Sequence, residues 1–277
     1  MSVVAMLQGT EDVDRSTCLA ALSLAKRMNV SLSGVCALPD PTAAVMVVAP
    51  METTAMNVGS IEPIIELQKE LLTKARSAFD DVMNCGAHGV AAEFVHEVNI
   101  AERSAADAAT LADAVVFPRE AAKGGEPLNP SFQQVLLHSR LPVVLAGTGD
   151  VRKGPVIVAW DGSDGAARAV RFFLPVIRAM GKVIIAQNKK DIRNDDFREA
   201  ADPSRLIKWL GQGGVEAETA ELEGGVGTGL LALAKGSDAS MIVAGAYGHS
   251  PLAERVFGGT TRCLLEADEA PMLALSR

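Results

Sequence analysis

Short apolar runs alternate with longer amphipathic segments along most of the chain. Residues 2–7 are apolar and end at Gln8, Gly9 and Thr10, the pattern of a buried strand closed by a turn. Over 15–28, Leu19, Leu22 and Ala25 fall at helical spacing with polar residues between them, which predicts an amphipathic helix. Residues 30–38 predict a second strand. The long segment 61–84 carries Ile64, Ile65, Leu67, Leu71, Leu72, Ala75, Phe79 and Val82 near helical spacing, and Cys85-Gly86 closes it. Strand 90–96, helix 100–111, strand 114–117, helix 131–139 and strand 142–146 complete this half. The pattern dissolves only over 39–60, where Pro, Thr, Met and Val surround an apolar patch at 45–48. That stretch reads as a loop lying over its own domain, with a partner-binding flap as the alternative.

A polar, glycine-rich segment at 147–154 divides the chain, and the alternation then starts again. Strand 155–160 ends at Asp161-Gly162-Ser163-Asp164. Helix 166–180, strand 182–187, a highly charged connection at 188–201 and helix 203–212 follow. Strand 215–222, helix 229–235 and strand 240–244 lead to a glycine loop, a helix at 262–267 and a last strand at 271–275. The ends of the two halves match residue for residue. Leu141-Pro142-Val143-Val144 parallels Ala270-Pro271-Met272-Leu273, and the run from Val4 to Gly9 parallels that from Ile157 to Gly162. Alternating strands and helices imply right-handed crossovers and helices on both faces of a parallel sheet. The expectation is an α/β fold of two tandem, open, five-stranded parallel-sheet domains, spanning 1–148 and 154–277.

Composition narrows the function. The chain has 277 residues, enough for two ordinary cores, and its 4% aromatic content points to Ala, Val, Leu and Ile packing. A net charge of −8, with no basic patch interleaved with aromatics, argues against nucleic-acid and anionic-membrane binding. No leader and no bilayer-length apolar run is evident, so a cytoplasmic, reduced protein is expected. Cys18, Cys36, Cys85 and Cys263 form no metal-like spacing; Cys18, Cys36 and Cys263 read as buried thiols. His88, His96, His138 and His249 make no close metal pair, and no Gly-x-Ser-x-Gly elbow is present, so no catalytic residue is named.

The chemistry concentrates in one place. Gly245 and Gly248, then Gly258, Gly259, Thr260 and Thr261, follow an apolar strand and open a helix. Glycines let backbone N–H groups approach a phosphate, and the helix N-terminus adds partial positive charge. Two or three such amide bonds, about 1.5–3 kcal/mol each, suffice for micromolar binding before ordering costs. In an open parallel sheet this loop meets the one after the first strand, where Asp161, Gly162 and Ser163 stand. Asp161 could accept from an adenine amine or ribose hydroxyl, or it could serve an Asx turn or cap the next helix. His249, Arg255 and Arg262 could add charge for a polyphosphate, or stand in solvent. The loop has no Gly-Lys-Ser/Thr and is not a Walker A motif. The run from Gly224 to Gly229 misses the dinucleotide spacing and reads as a flexible connection.

With Asp161, Gly162 and Ser163 after one strand and Gly245-x2-Gly248-x9-Gly258 after another, the chain resembles the universal stress protein family. The second half is covered throughout, the first in architecture only, as in the family's tandem members. The resemblance implies a Rossmann-like, adenine nucleotide alpha-hydrolase-like fold and a regulatory stress-response role. Any ATP hydrolysis would be slow. It implies that Asp161 holds adenine, helped by backbone at Gln187 or Asn188. Gly245, Gly248, His249 and Ser250 would line ribose and phosphates. Gly258, Gly259, Thr260 and Thr261 would cradle the polyphosphate with Mg2+ or Mn2+. Gly259 departs from the family, whose ATP-binding members commonly carry Ser or Thr there.

The first half departs further: Gln8 replaces Asp161, Pro118 and Ala121 replace Gly245 and Gly248, and Asn129-Pro130 replaces Gly258-Gly259. Proline removes a donor where phosphate needs an amide, so this half is expected not to bind nucleotide. Its expected role is to pair with the second half, 142–146 beside 271–275. Three functions follow. The first is an ATP-binding regulator with one site, whose chains could pair again as a homodimer. The second is an interaction module of the same fold acting through unknown partner proteins. The third, a nucleotidyl transferase, lacks its His-x-Gly-His motif.

Overall fold

In the computed structural model, residues 1–42, 61–148, 151–188, 198–246, 259–267 and 269–277 are described. Most of the expected 39–60 loop, from residue 43 onward, lies outside them. The first half comprises β1 (Ser2–Met6), α1 (Glu11–Met28), β2 (Ser31–Pro39), α2 (Glu62–Gly86), β3 (Ala92–Asn99), α3 (Ala101–Ala109), β4 (Ala114–Phe117), α4 (Asn129–Gln133) and β5 (Val143–Leu145). The second comprises β6 (Val156–Ala159), α5 (Asp164–Phe172), α6 (Leu174–Met180), β7 (Lys182–Gln187), α7 (Arg198–Ala201) and α8 (Pro203–Gln212). It continues with β8 (Glu216–Glu221), α9 (Val226–Gly236), β9 (Met241–Gly245), α10 (Gly259–Glu266) and β10 (Met272–Ser276).

Several boundaries differ from the apolar pattern, each for a local reason. Helix α1 begins at Glu11 rather than 15, because Glu11, Asp12 and Asp14 complement the positive end of the helix dipole. The single helix expected over 166–180 is two, α5 and α6, which meet at Phe173. Pro175 has no N–H for the Arg171 carbonyl, and its ring crowds that turn. Helix α4 starts at Asn129 with Pro130 in its first turn, then widens to a π turn over Gln134–His138. The run from Gly224 to Gly229 is not a flexible connection: Gly225 caps α9, and Gly227 and Gly229 lie buried within the helix. Helix α10 starts at Gly259, three residues before the apolar period reveals it.

The ten strands form one sheet in the order β3-β2-β1-β4-β5-β10-β9-β6-β7-β8. Within each half the neighbours are parallel, and both halves carry the same internal order, third-second-first-fourth-fifth. The halves meet where β5 and β10 pair antiparallel, Leu145 opposite Leu273 and Val143 opposite Leu275. Strand alternation sends Val3, Ala5, Val158, Val243 and Ala274 to one face, under α1, α2, α5, α6 and α8. Val4, Met6, Ile157, Ile242 and Leu273 point to the other, under α3, α4, α9 and α10. Both cores run through the β5–β10 junction, and α1 touches α6 across it. Val143, Val144, Leu145, Leu273 and Leu275 are almost wholly buried there. Burying each such side chain is worth about 1.5–3 kcal/mol relative to exposure, so apolar packing as well as strand pairing joins the halves.

The segment joining the halves is tied down at its ends. Thr148 donates through its amide to the Ala270 carbonyl at 2.9 Å, and its hydroxyl accepts from the Ala270 amide at 2.7 Å. Gly154 donates to the Asp238 carbonyl at 3.1 Å. No helix among the described residues is long and apolar enough to cross a membrane.

Candidate functional site

The strand order reverses between β6 and β9, so a crevice opens beyond their C-terminal ends. At the β6 end, Trp160 donates its amide to the Ala186 carbonyl at 3.0 Å, which keeps β6 and β7 level. The chain then turns. Asp161 Oδ1 accepts from the Ser163 amide at 2.9 Å, Gly162 takes φ +79°, and Ser163 Oγ accepts from the Ala166 amide at 3.2 Å to cap α5. The Asx turn and the cap are thus both present. Asp161 remains exposed.

Gly245 brings the β9 end against this turn. A Cβ there would lie 2.7 Å from the Gly165 carbonyl carbon and 2.9 Å from the Ala166 nitrogen. The two backbones touch, which only glycine permits. The β7 end is occupied by structural bonds. Gln187 Nε2 donates to the Ala201 carbonyl at 2.6 Å, and Asn188 Nδ2 donates to the Gly224 carbonyl at 2.9 Å. Helix α7, held by Gln187, lies directly over Gly162, whose Cβ would fall 2.5 Å from the Ala201 nitrogen. The Asn188 side chain is therefore committed to the fold, and any adenine contact at this strand end falls to backbone.

Helix α10 rests on α9. A Cβ at Gly227 would lie 2.7 Å from Cys263 Cβ and 3.3 Å from the Thr260 carbonyl oxygen. Gly227, discounted in the sequence as part of a loop, is thus the residue that seats α10. Gly259 and Thr260 are exposed at the helix start, and Thr261 is buried. Cys263 is half-exposed rather than buried, because the thiol faces the α9 seam instead of the core. Gly248, His249, Ser250 and Gly258, with Arg255, lie outside the described residues. Gly165 also escaped the sequence reading; a glycine in the first turn of a helix, after Asp164, was the available signal. Among the described residues no group of three or more His, Cys, Asp and Glu could hold a metal ion. A small cavity of about 50 Å³, lined by Ser16, Ala20, Gly147, Arg152 and Met272, lies at the junction of the halves and not at this crevice.

The first half repeats the turn and fills it. Gly9 takes φ +84°, as Gly162 does, and its Cβ would lie 2.7 Å from Leu71 Cα of α2. Here the anion is internal. Asp14, wholly buried on α1, accepts from the Gln8 amide at 2.9 Å through Oδ1 and from the Gly9 amide at 2.7 Å through Oδ2. Burial raises the Asp14 carboxyl above its ordinary value, outweighing those amides. Burial first, and the Asp14 charge second, push the Cys18 and Cys36 thiols up to about 12. After β4, Pro118 leads into a 3-10 turn, Arg119–Ala122, and Asn129 Nδ2 donates to the Ala121 carbonyl at 2.9 Å. Ala121, Ala122, Leu128 and Phe132 bury themselves there.

Two doubly wound α/β halves on one continuous sheet, each with a switch point, define the class. Residues 154–275 match the model of the universal stress protein family. A universal stress protein from Archaeoglobus fulgidus DSM 4304 shares the fold over 100% of this chain and 96% of its own, at 16% identity and a TM-score of 0.66. A candidate universal stress protein from Pseudomonas aeruginosa UCBPP-PA14 covers 99% of this chain and 92% of its own, at 13% identity and a TM-score of 0.50. At these identities the likeness is one of fold, and it extends to the first half. No curated protein sequence matches the chain.

Proposed function

We propose that the second half binds one adenine nucleotide, ATP in the first instance, at the β6–β9 switch point, and that the protein acts as a stress-response regulator. The observation that carries this reading is the backbone contact of Gly245 with Gly165 and Ala166. It brings the end of β9 against the turn that follows β6, at the switch point of the second half, which supports a ligand site there. Asp161 then accepts from the base, and the amides at 259–261, at the positive end of α10, face the phosphates. Mg2+ or Mn2+ would be held between phosphate oxygens. In the first half Asp14 takes the turn amides, so the stoichiometry is one nucleotide per chain.

Calorimetric titration with MgATP tests the reading. One site of micromolar to millimolar affinity is expected, because two or three charge-assisted amide bonds of about 1.5–3 kcal/mol each sum to about 3–9 kcal/mol before ordering costs. Absence of binding at millimolar MgATP would overturn it. The alternative, an interaction module acting through partners or a second copy, draws support from Gly259, which offers no hydroxyl, and from α7 lying over Gly162. It predicts no heat with MgATP.

A further inference from the structure

Among the described residues, Arg119 is the charged side chain that crosses from the first half to helix α10 of the second. It opens the 3-10 turn after β4 and is only 6% exposed. Its Nη1 donates to the Ala146 carbonyl at 3.2 Å and to the Pro271 carbonyl at 3.4 Å, and its Nη2 donates to the Leu264 carbonyl. Those three oxygens belong to the end of β5, the approach to β10 and the last turn of α10. Among the described residues no carboxylate bonds the guanidinium, and its Nε finds no acceptor. Burial lowers its pKa to about 10, with neighbouring Glu120 acting the other way, so it stays charged at neutral pH.

A buried cation hydrogen-bonded to carbonyls is a costly way to fill a junction that apolar residues could fill. The geometry at α10 gives it a task. Leu264 is among the last four residues of the helix, whose carbonyls have no partner within it. A cation there complements the negative end of the helix dipole. At eight residues, α10 is roughly 12 Å long, so Arg119 is too distant to touch anything bound at Gly259 or Thr260. It can act only by holding the helix. The second half reaches back differently: Ala246 stands at the place matching Arg119, and the exposed Arg277 donates through Nη1 to the Leu137 carbonyl at 3.1 Å, in the last turn before β5.

We propose that Arg119 is a positioning residue for the nucleotide site, through which the first half holds α10 from its C-terminal end and so sets the amides at 259–261. This rests on the nucleotide reading above, and it gives the half that does not bind nucleotide a role in binding. Lysine cannot fork among three carbonyls, so R119K retains charge without the geometry.

The test compares wild type, R119M, R119K and V144A by MgATP calorimetry well below their unfolding midpoints, with hydrogen exchange of the α10 amides in nucleotide-free protein. Val144 is fully buried at the same β5–β10 junction but on the opposite face of the sheet, so V144A controls for loss of stability. R119M is expected to weaken MgATP about tenfold and to speed exchange in α10. V144A should leave both within about twofold, a spread ordinary for a site untouched by the change. R119K should fall between, and it carries the comparison if R119M does not fold. Equal affinity in wild type and the Arg119 variants overturns the positioning role alone. So does equal weakening by V144A, or unchanged exchange in α10. Wild type that takes no MgATP overturns the site itself and the positioning role with it.

Discussion

Asp161 serves the fold and, in the proposed site, the ligand, and two substitutions separate the roles. In the structure its Oδ1 holds the Ser163 amide at 2.9 Å in an exposed turn. Asp161→Asn keeps a side-chain oxygen for that Asx turn, so its stability should change by less than about 0.5 kcal/mol. Asp161→Ala loses one exposed hydrogen bond, about 0.5–1 kcal/mol, or roughly 2 °C in a chain of this size. Binding should respond on a different scale. A carboxylate accepting from a base amine is worth about 1.5–3 kcal/mol, so Asp161→Ala should weaken ATP by about 10- to 150-fold. A neutral amide oxygen keeps about half of that energy, so Asp161→Asn should lose roughly 3- to 12-fold. Scanning calorimetry and MgATP titration on the same samples read both quantities. Asp161→Ala destabilised as stated but binding ATP as tightly as wild type would refute the ligand role and leave a turn residue. Gln8→Ala, at the matching position of the first half, should change nothing in the titration.

Three further outcomes follow from the packing. Gly245→Ala places a Cβ 2.7 Å from the Gly165 backbone, which should cost about 1–3 kcal/mol and remove ATP binding by parting the two loops; denaturant melts and titration check it. Gly34→Ala drives a methyl to 2.5 Å from the Phe79 ring, far from the site, so it should destabilise by about 1–3 kcal/mol with ATP affinity intact. Asp14 has a pH signature. Because its folded pKa is raised, the folded chain holds a proton that the unfolded chain has lost, and stability falls as pH rises from its ordinary 3.8 through the folded value. Asp14→Asn should remove that slope in urea melts at a series of pH values, whereas Asp14→Ala, which leaves the buried Gln8 and Gly9 amides unpaired, should cost about 2–4 kcal/mol at any pH.

The alternation of apolar runs and amphipathic segments was enough to establish the strands and the parallel sheet within each half. A period of two or of 3.6 is a local property, and a parallel strand buried on both faces cannot be disguised. Asp161, Gly162, Ser163 and Gly245 were legible for the same reason, since turn chemistry is written in neighbouring residues. What only tertiary structure decided are relations between residues distant along the chain. Nothing local marks Asp14 as the anion that fills the Gln8–Gly9 turn, or Gly227 as the seat of α10. Nothing local marks Arg119 as the cap of a helix in the other half. Each depends on which backbone comes within contact distance once the sheet has twisted and its two halves have joined at β5 and β10, and that distance has no counterpart in the order of residues.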